Sequence, residues 1–213
     1  MVRILCASLL AALVSTAYGS EPLKLPAYAP SSGTLSEALQ GRSTQRKLTG
    51  PALSLQEVGQ LFWAAQGENR PGKRTVPSAR AKYPLTVYLL SEGSTSLAQG
   101  TYCYLPQTHA LLKVSEGGPS KMLAPIKGMQ PWIANSPAVF LLTGKPERLG
   151  ASPTAEYFTY LEAGAASQSL LLQATSMGLG CGIAAGLDLN AIAKALSIED
   201  EKALVVLPVG RRK

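Results

Sequence analysis

The sequence predicts an α+β fold, a mixed, mainly antiparallel sheet flanked by helices, and three observations predict it. Apolar residues recur at helical spacing in two stretches, one after Ser54 and one from Thr154 to Met177. Short runs rich in β-branched and aromatic residues include a clear hairpin. Strands and helices alternate irregularly instead of in repeating βαβ units. At 213 residues, with 46% hydrophobic and 15% charged positions, the chain can bury one substantial core and has the composition of a globular protein.

The first residues, MVRILCASLLAALVSTAYGS, carry one basic residue, Arg3, an apolar run from Ile4 to Val14, and small residues at Ala17 and Gly19. That pattern predicts a secretory signal peptide over residues 1–19 and an exported chain, periplasmic or secreted. The Pro- and Ser-rich segment 20–34 then leads into one domain over 35–213. Leu35 to Gly41 reads as a short helix. SLQEVGQLFWAAQG reads as a stronger one, because Ser54 can cap it, Glu57 stands three residues later as in a capping box, and Leu55, Val58, Leu61, Phe62 and Ala65 share a face. Gly67 closes it.

Tyr83 to Leu90 is a predicted strand, and TYCYLPQTHALLKV a hairpin turning at Pro106 to Thr108. Lys121 to Lys127 is a weak helix and Ala138 to Thr143 a buried strand. The long helix of 154–177 is followed by a short strand or loop over Cys181 to Ala185, a helix over Leu189 to Leu196, and a final strand over Ala203 to Val209. In the long helix Glu162, Gln168 and Gln173 interrupt the apolar run, so it is no membrane span. Gly178, Gly180 and Gly182 look like a dinucleotide loop. They end a helix, however, where such a loop needs glycines that open one. A buried core helix with a glycine cap and one wall of a cofactor site both stay open on this pattern.

Removing residues 1–19 takes away Arg3 and no acid, so the formal charge falls from +7 to +6. The basic residues are scattered and aromatics are few, which argues against nucleic acid and favours small anionic ligands. His109 is the only histidine and lies in or beside the hairpin turn, without the partners of a hydrolytic triad. One histidine and two mature cysteines show no metal-ligand spacing. Cys103 and Cys181 lie far apart inside buried elements, where free thiols are common, although an oxidising compartment leaves a disulfide between them open. In GRSTQRKL, Arg42, Thr44 and Arg46 alternate. In an extended segment they face one way, two guanidinium forks and a hydroxyl suited to a phosphate dianion, and the pattern by itself equally describes a solvated basic loop. In RTVPSARAKYPLTVY a Pro-Ser turn precedes a strand. There Ser78 and its neighbouring amides can bond the polar edge of a planar ligand, with Arg74 or Arg80 facing developing negative charge.

Taken in order, R-x-T-x-R, LFWAAQG, RTVPSA before YPLTVY, GTYCYLPQTHAL, LEAGAASQSLLLQATSMGLGCGIAAGLD and LVVLPVGRR resemble the FMN-dependent nitroreductase superfamily, nearest to its branch of azoline-oxidising dehydrogenases of modified-peptide biosynthesis. The resemblance runs from about residue 35 to 212. It implies an α/β sandwich forming an intertwined homodimer with FMN at the interface, and ping-pong hydride chemistry on a small organic or peptide substrate. It assigns Arg42, Thr44 and Arg46 to the FMN phosphate and ribityl chain, Pro77, Ser78 and Ala79 to the ring edge from the other subunit, and Ala184, Ala185 and Gly186 to a loop near the reactive ring nitrogen. Arg211 matches a basic position after the last strand. Two departures stand out: Ala165 and Ser169 replace a histidine and an asparagine, and GASPTAEYFTY lacks the Lys-Tyr pair of azoline oxidases. No acid or base is evident; Tyr157 and Tyr160 are the nearest proton donors. The alternative is a catalytically degenerate protein that binds flavin or a small anion on the same scaffold.

Overall fold

The computed structural model describes residues 21–30 and 33–212, so the predicted signal peptide lies outside the described residues. Its strands are β1 (Leu23–Lys24), β2 (Leu48–Thr49), β3 (Glu68–Arg70), β4 (Lys73–Arg74), β5 (Leu85–Ser91), β6 (Gly100–Leu105), β7 (Ala110–Ser115), β8 (Ala138–Gly144), β9 (Leu179–Cys181) and β10 (Lys202–Arg212). Its α-helices are α1 (Leu35–Gly41), α2 (Leu55–Gln66), α3 (Pro119–Met122), α4 (Pro131–Ala134), α5 (Ala155–Ser176) and α6 (Leu189–Ala195).

The main sheet runs β1-β7-β6-β5-β8-β10-β2, with β9 also on β10. Every pairing between named strands is antiparallel, so the expected mixed character shrinks to one isolated parallel bridge, Thr44 to Cys181. Side chains alternate across the central strand β8, as period two requires. Phe140 and Leu142 enter the core built by α2 and α5, while Val139 and Leu141 enter a second core against Ile133, Ile192 and Leu196. The sheet is therefore covered on both faces, which is why β5, β8 and β10 read as almost continuous apolar runs.

Helix α2 forms as its capping residues dictate. Ser54 accepts the Glu57 amide, and the Glu57 carboxylate accepts the Ser54 amide at 2.8 Å. The same carboxylate is bound by the two terminal nitrogens of Arg211 at the far end of β10. Burial alone would push the Glu57 carboxyl up. The Arg211 and Ser54 hydrogen bonds outweigh it and hold the group below the usual carboxylate range. A lowered folded pKa adds stability above the unfolded pKa and loses it as the pH falls through the folded value. Glu57→Gln is expected to destabilise by about 1–2 kcal/mol at pH 7. Urea melts should show the difference from wild type closing as the pH drops below about 4; a gap unchanged by acid would refute the assignment.

Two local expectations are revised. The weak helix of 121–127 is a single turn, Pro119–Met122, because Pro119 starts it and Pro125 prevents its continuation. The last strand runs on to Arg212, which places Arg211 inside it instead of after it. The short strands β1 to β4 have too few residues for a periodic signal.

Candidate functional site

The segment leaving α1 lies alongside β9. Arg42 caps α1 in an extended conformation, the Gln45 amide donates to the Cys181 carbonyl at 2.8 Å, and Thr44 bridges Cys181. Extended backbone between an alternating R-x-T-x-R pattern is what the sequence predicts. The close approach has a reason in β9. A Cβ on Gly182 would meet Thr44 Cγ2 at 3.1 Å and the Trp132 ring at 3.2 Å, and one on Gly180 would meet Leu48 at 2.8 Å and Gln45 Cβ at 3.2 Å. The glycines after α5 thus admit the 42–46 segment, while Gly178 alone, at φ +72°, makes the left-handed exit from the helix.

Two residues not singled out from sequence join this segment. The Arg46 guanidinium lies over the Trp132 ring, 5.7 Å from its centre. Arg212 lies beside Gly180 and donates to the Leu179 carbonyl at 3.0 Å. Arg42 and Arg212 are close enough to the Cys181 thiol to lower its pKa, although burial dominates and pushes it up to about 11. Arg211 points the other way, its guanidinium held by Glu57, because neighbours on a strand face opposite sides. Half-buried Arg42, exposed Thr44 and Arg46, and Arg212 border Gly180 and Gly182, and residues of these types suit a phosphate-bearing ligand. Ala184 continues this wall as a buried bridge to Val206, and Ala185 and Gly186 beyond it are exposed.

The Pro77–Ala79 turn sits elsewhere on the chain, against the N-terminal half of α5. Ser78 Oγ accepts the Tyr83 amide at 2.8 Å, and the turn carries three left-handed non-glycine residues, Arg80, Ala81 and Tyr83, at φ +54°, +51° and +49°. Such conformations are sparsely populated and collect at ligand clamps. Behind the turn lies Glu162, which is 3% exposed. Gln66 donates to its Oε1 at 3.1 Å, and Arg74 donates to Gln66 at 2.7 Å while stacking on Tyr83, 4.5 Å from the ring centre. Burial raises the Glu162 pKa; Ser78, Gln66 and Arg74 pull against that rise without cancelling it. The sequence signal was available. Glu162 lies three residues from buried Thr159 and four from buried Ala166, so helical spacing puts this acid on the core side of α5.

Other candidates fall to structural roles. Tyr104 donates to His109 Nδ1 at 2.8 Å, and His109 Nε2 donates to the Pro26 carbonyl at 2.9 Å, clasping the N-terminal segment to the β6–β7 hairpin. Cys103 and Cys181 are free, and burial pushes Cys103 up to about 12, so neither is a ready thiolate. Tyr157 and Tyr160 are exposed on α5. Among the described residues no three His, Cys, Asp or Glu side chains gather as metal ligands, and no helix is long and apolar enough to cross a membrane.

Helix α5 carries both halves of the candidate site. Glu162 lies behind the Pro77–Ala79 turn, and Thr175 packs against Gly41 at the start of the basic segment. Thirteen residues separate them, about 20 Å along the helix. Between them a groove of about 460 Å³ opens among α1, α2 and α5, lined by Leu35, Ala38, Trp63, Thr75, Ser169 and Gln173 among others.

The profile of the nitroreductase family matches residues 39–211. A protein of Methanocaldococcus jannaschii that bears the name nitroreductase is 33% identical over 183 residues, which are 84% of this chain and 91% of that protein. A crystal structure from Ralstonia eutropha JMP134, also named as a nitroreductase, superposes with a TM-score of 0.80 at 27% identity, over 91% of this chain and 90% of that one. A further nitroreductase-named structure, from Desulfovibrio desulfuricans in complex with FMN, has the same fold with a TM-score of 0.61 at 17% identity, covering 84% and 87% of the two chains. The matched region takes in the basic segment, the Pro77–Ala79 turn, α5 and the glycines that follow it, and the chain belongs to the nitroreductase family.

Proposed function

We propose that the protein is an FMN-dependent oxidoreductase that works as a homodimer on a small organic or peptide substrate. The observation that carries this reading is the basic segment beside Gly180 and Gly182: Arg42, Thr44 and Arg46, with Arg212 nearby, supply the charge and the donor types that suit a phosphate dianion. Arg42, Thr44 and Arg46 hold the phosphate and ribityl end; Ala184, Ala185 and Gly186 present backbone toward the ring; and Pro77, Ser78 and Ala79 meet its edge. Bound FMN supplies hydride transfer in two half-reactions. The chain contributes position and electrostatics. Amides and hydroxyls of residues 77–79 and 184–186 would stabilise negative charge on a flavin held there.

A second copy supplies the ring-edge turn in this reading. Support comes from apolar surface flanking the groove: Leu35 is 66% exposed, Leu39 54%, Tyr157 64% and Leu161 57%. Gly164 lies on the exposed side of α5, where a Cβ would meet nothing within 4 Å, so another helix can approach there. Export by residues 1–19 places the enzyme where nicotinamide donors are scarce, and we propose a different electron donor. The absence of a Lys-Tyr pair in GASPTAEYFTY argues against azoline oxidation within that branch.

One substitution pattern favours a second reading. Ala165 and Ser169 stand where the resembling branch has histidine and asparagine, and a protein that binds flavin without turnover accounts for them. The mature chain from Ser20, purified with FMN, is expected to be yellow and to have the mass of a dimer by light scattering. A colourless monomer that takes up no FMN would overturn the proposal. A yellow dimer inert to a panel of electron donors would leave the binding protein as the function.

A further inference from the structure

We propose that Glu162 is a positioning residue for the Pro77–Ala79 turn, its free carboxyl oxygen setting which way the Ser78 hydroxyl points and hence whether that hydroxyl serves a bound ligand. The inference rests on the flavin reading of this turn. Its starting point is an unexplained polar atom: Glu162 Oε2 is buried and has no hydrogen-bond partner among the described residues. The other oxygen is held by Gln66. The Ser78 hydroxyl faces the carboxyl and lowers its pKa as a hydrogen-bond donor does, yet no bond of ordinary geometry reaches Oε2.

Hydrogen-bond capacity sets the direction of the serine proton. Ser78 Oγ already accepts the Tyr83 amide. When Glu162 is protonated, its Oε2–H can donate to the remaining lone pair of Ser78 Oγ, and the serine proton is then free to point outward to a ligand. When Glu162 is ionised, the orphaned oxygen needs a donor, and the nearest hydroxyl turns inward to supply it. Burial favours the protonated form and raises the pKa, opposed by the Ser78 and Gln66 hydrogen bonds and by the Arg74 guanidinium charge. Arg148, Tyr83 and Tyr104 act on Arg74 in turn. A glutamine of the same shape would fill this space without a buried ionisable group. The left-handed residues at 80, 81 and 83 hold the serine in this place at the expense of backbone strain.

The test uses FMN as probe and four proteins: wild type, Glu162→Gln, Ser78→Ala and the double variant. Affinity is measured by flavin fluorescence quenching between about pH 5 and pH 9, the range in which buried glutamates titrate. Relative to Glu162→Gln, wild type is expected to lose about threefold to tenfold in affinity as the pH rises, one hydrogen bond's worth. The ratio cancels the titration of the FMN phosphate and of groups common to both proteins. In the Ser78→Ala background the Glu162→Gln change is expected to have no effect.

A readout on the FMN-free protein accompanies it. A raised folded pKa means the protonated carboxyl favours folding at low pH and that advantage is lost as the pH rises. Glu162→Gln should therefore melt above wild type at pH 9, with the difference closing toward pH 5. Affinity profiles that stay parallel within twofold, or an effect of Glu162→Gln that persists without Ser78, would overturn the inference while leaving the flavin reading intact. Wild type that binds no FMN at any pH would overturn both. Should Glu162→Gln fail to fold, the ratio of wild-type to Ser78→Ala affinity decides, since a ratio that does not change with pH contradicts the mechanism.

Discussion

Replacing Arg42 and Arg46 together by alanine is expected to weaken FMN binding at least a hundredfold while leaving the fold intact. Each guanidinium makes charge-assisted contact with a phosphate in the proposed site, and such bonds contribute about 1.5–3 kcal/mol each, so losing two removes about 3 kcal/mol or more. The fold should tolerate the change. Arg42 caps α1 through its backbone amide, not its side chain, and Arg46 is exposed with its guanidinium over Trp132. Surface substitutions of this kind change stability by about 0.5 kcal/mol or less. Riboflavin, which lacks the phosphate, separates the two effects: its affinity should be nearly the same in wild type and variant. FMN binding within threefold of wild type would remove the phosphate assignment, and an equal loss for riboflavin would show that the ring site had been disturbed instead.

Phe62→Ala is expected to reduce the stability by about 3–5 kcal/mol, the range for aromatic truncation in a close-packed core. Phe62 is fully buried on α2, stacked on Tyr104 at 4.6 Å and edge-on to Phe140 at 5.0 Å. It joins α2 to two strands of the sheet, so neighbours cannot collapse into the space without moving an element. A domain of this size loses about 2–4 °C of Tm for each kcal/mol, which puts the melting temperature lower by roughly 10 °C. The consequence should reach the site, since Gln66 lies one turn further along α2 and holds Glu162. A loss below about 1 kcal/mol in urea melts would mean that the core relaxes around the gap.

Much of the fold was legible because it depends on local rules. The capping box at Ser54 and Glu57 appears with both hydrogen bonds, α5 begins and ends within a residue of the apolar run, and the hairpin turns where Pro106 to Thr108 stand. The alternation of the basic segment predicted extended backbone, and the segment lies in extended conformation against β9. Trp132 and Arg212 were not legible. Trp132 is 86 residues from the Arg46 it stacks on, and only the close approach at Gly180 and Gly182 brings them together. Arg211 and Arg212 are equivalent as text, and the pleat of β10 alone sends one to Glu57 and the other to the Leu179 carbonyl.

The elements, their caps, the apolar faces and the family are all written in the chain itself, since each is carried by residues a few positions apart. The pairing order of the sheet, the burial of Glu162 behind Ser78, and the separation of the two halves of the site along α5 emerge only on packing. The physical reason is one of range. Capping and periodicity act within a turn or a strand, whereas the environment of a carboxyl or a guanidinium is set by chain segments that meet only after packing has closed the core.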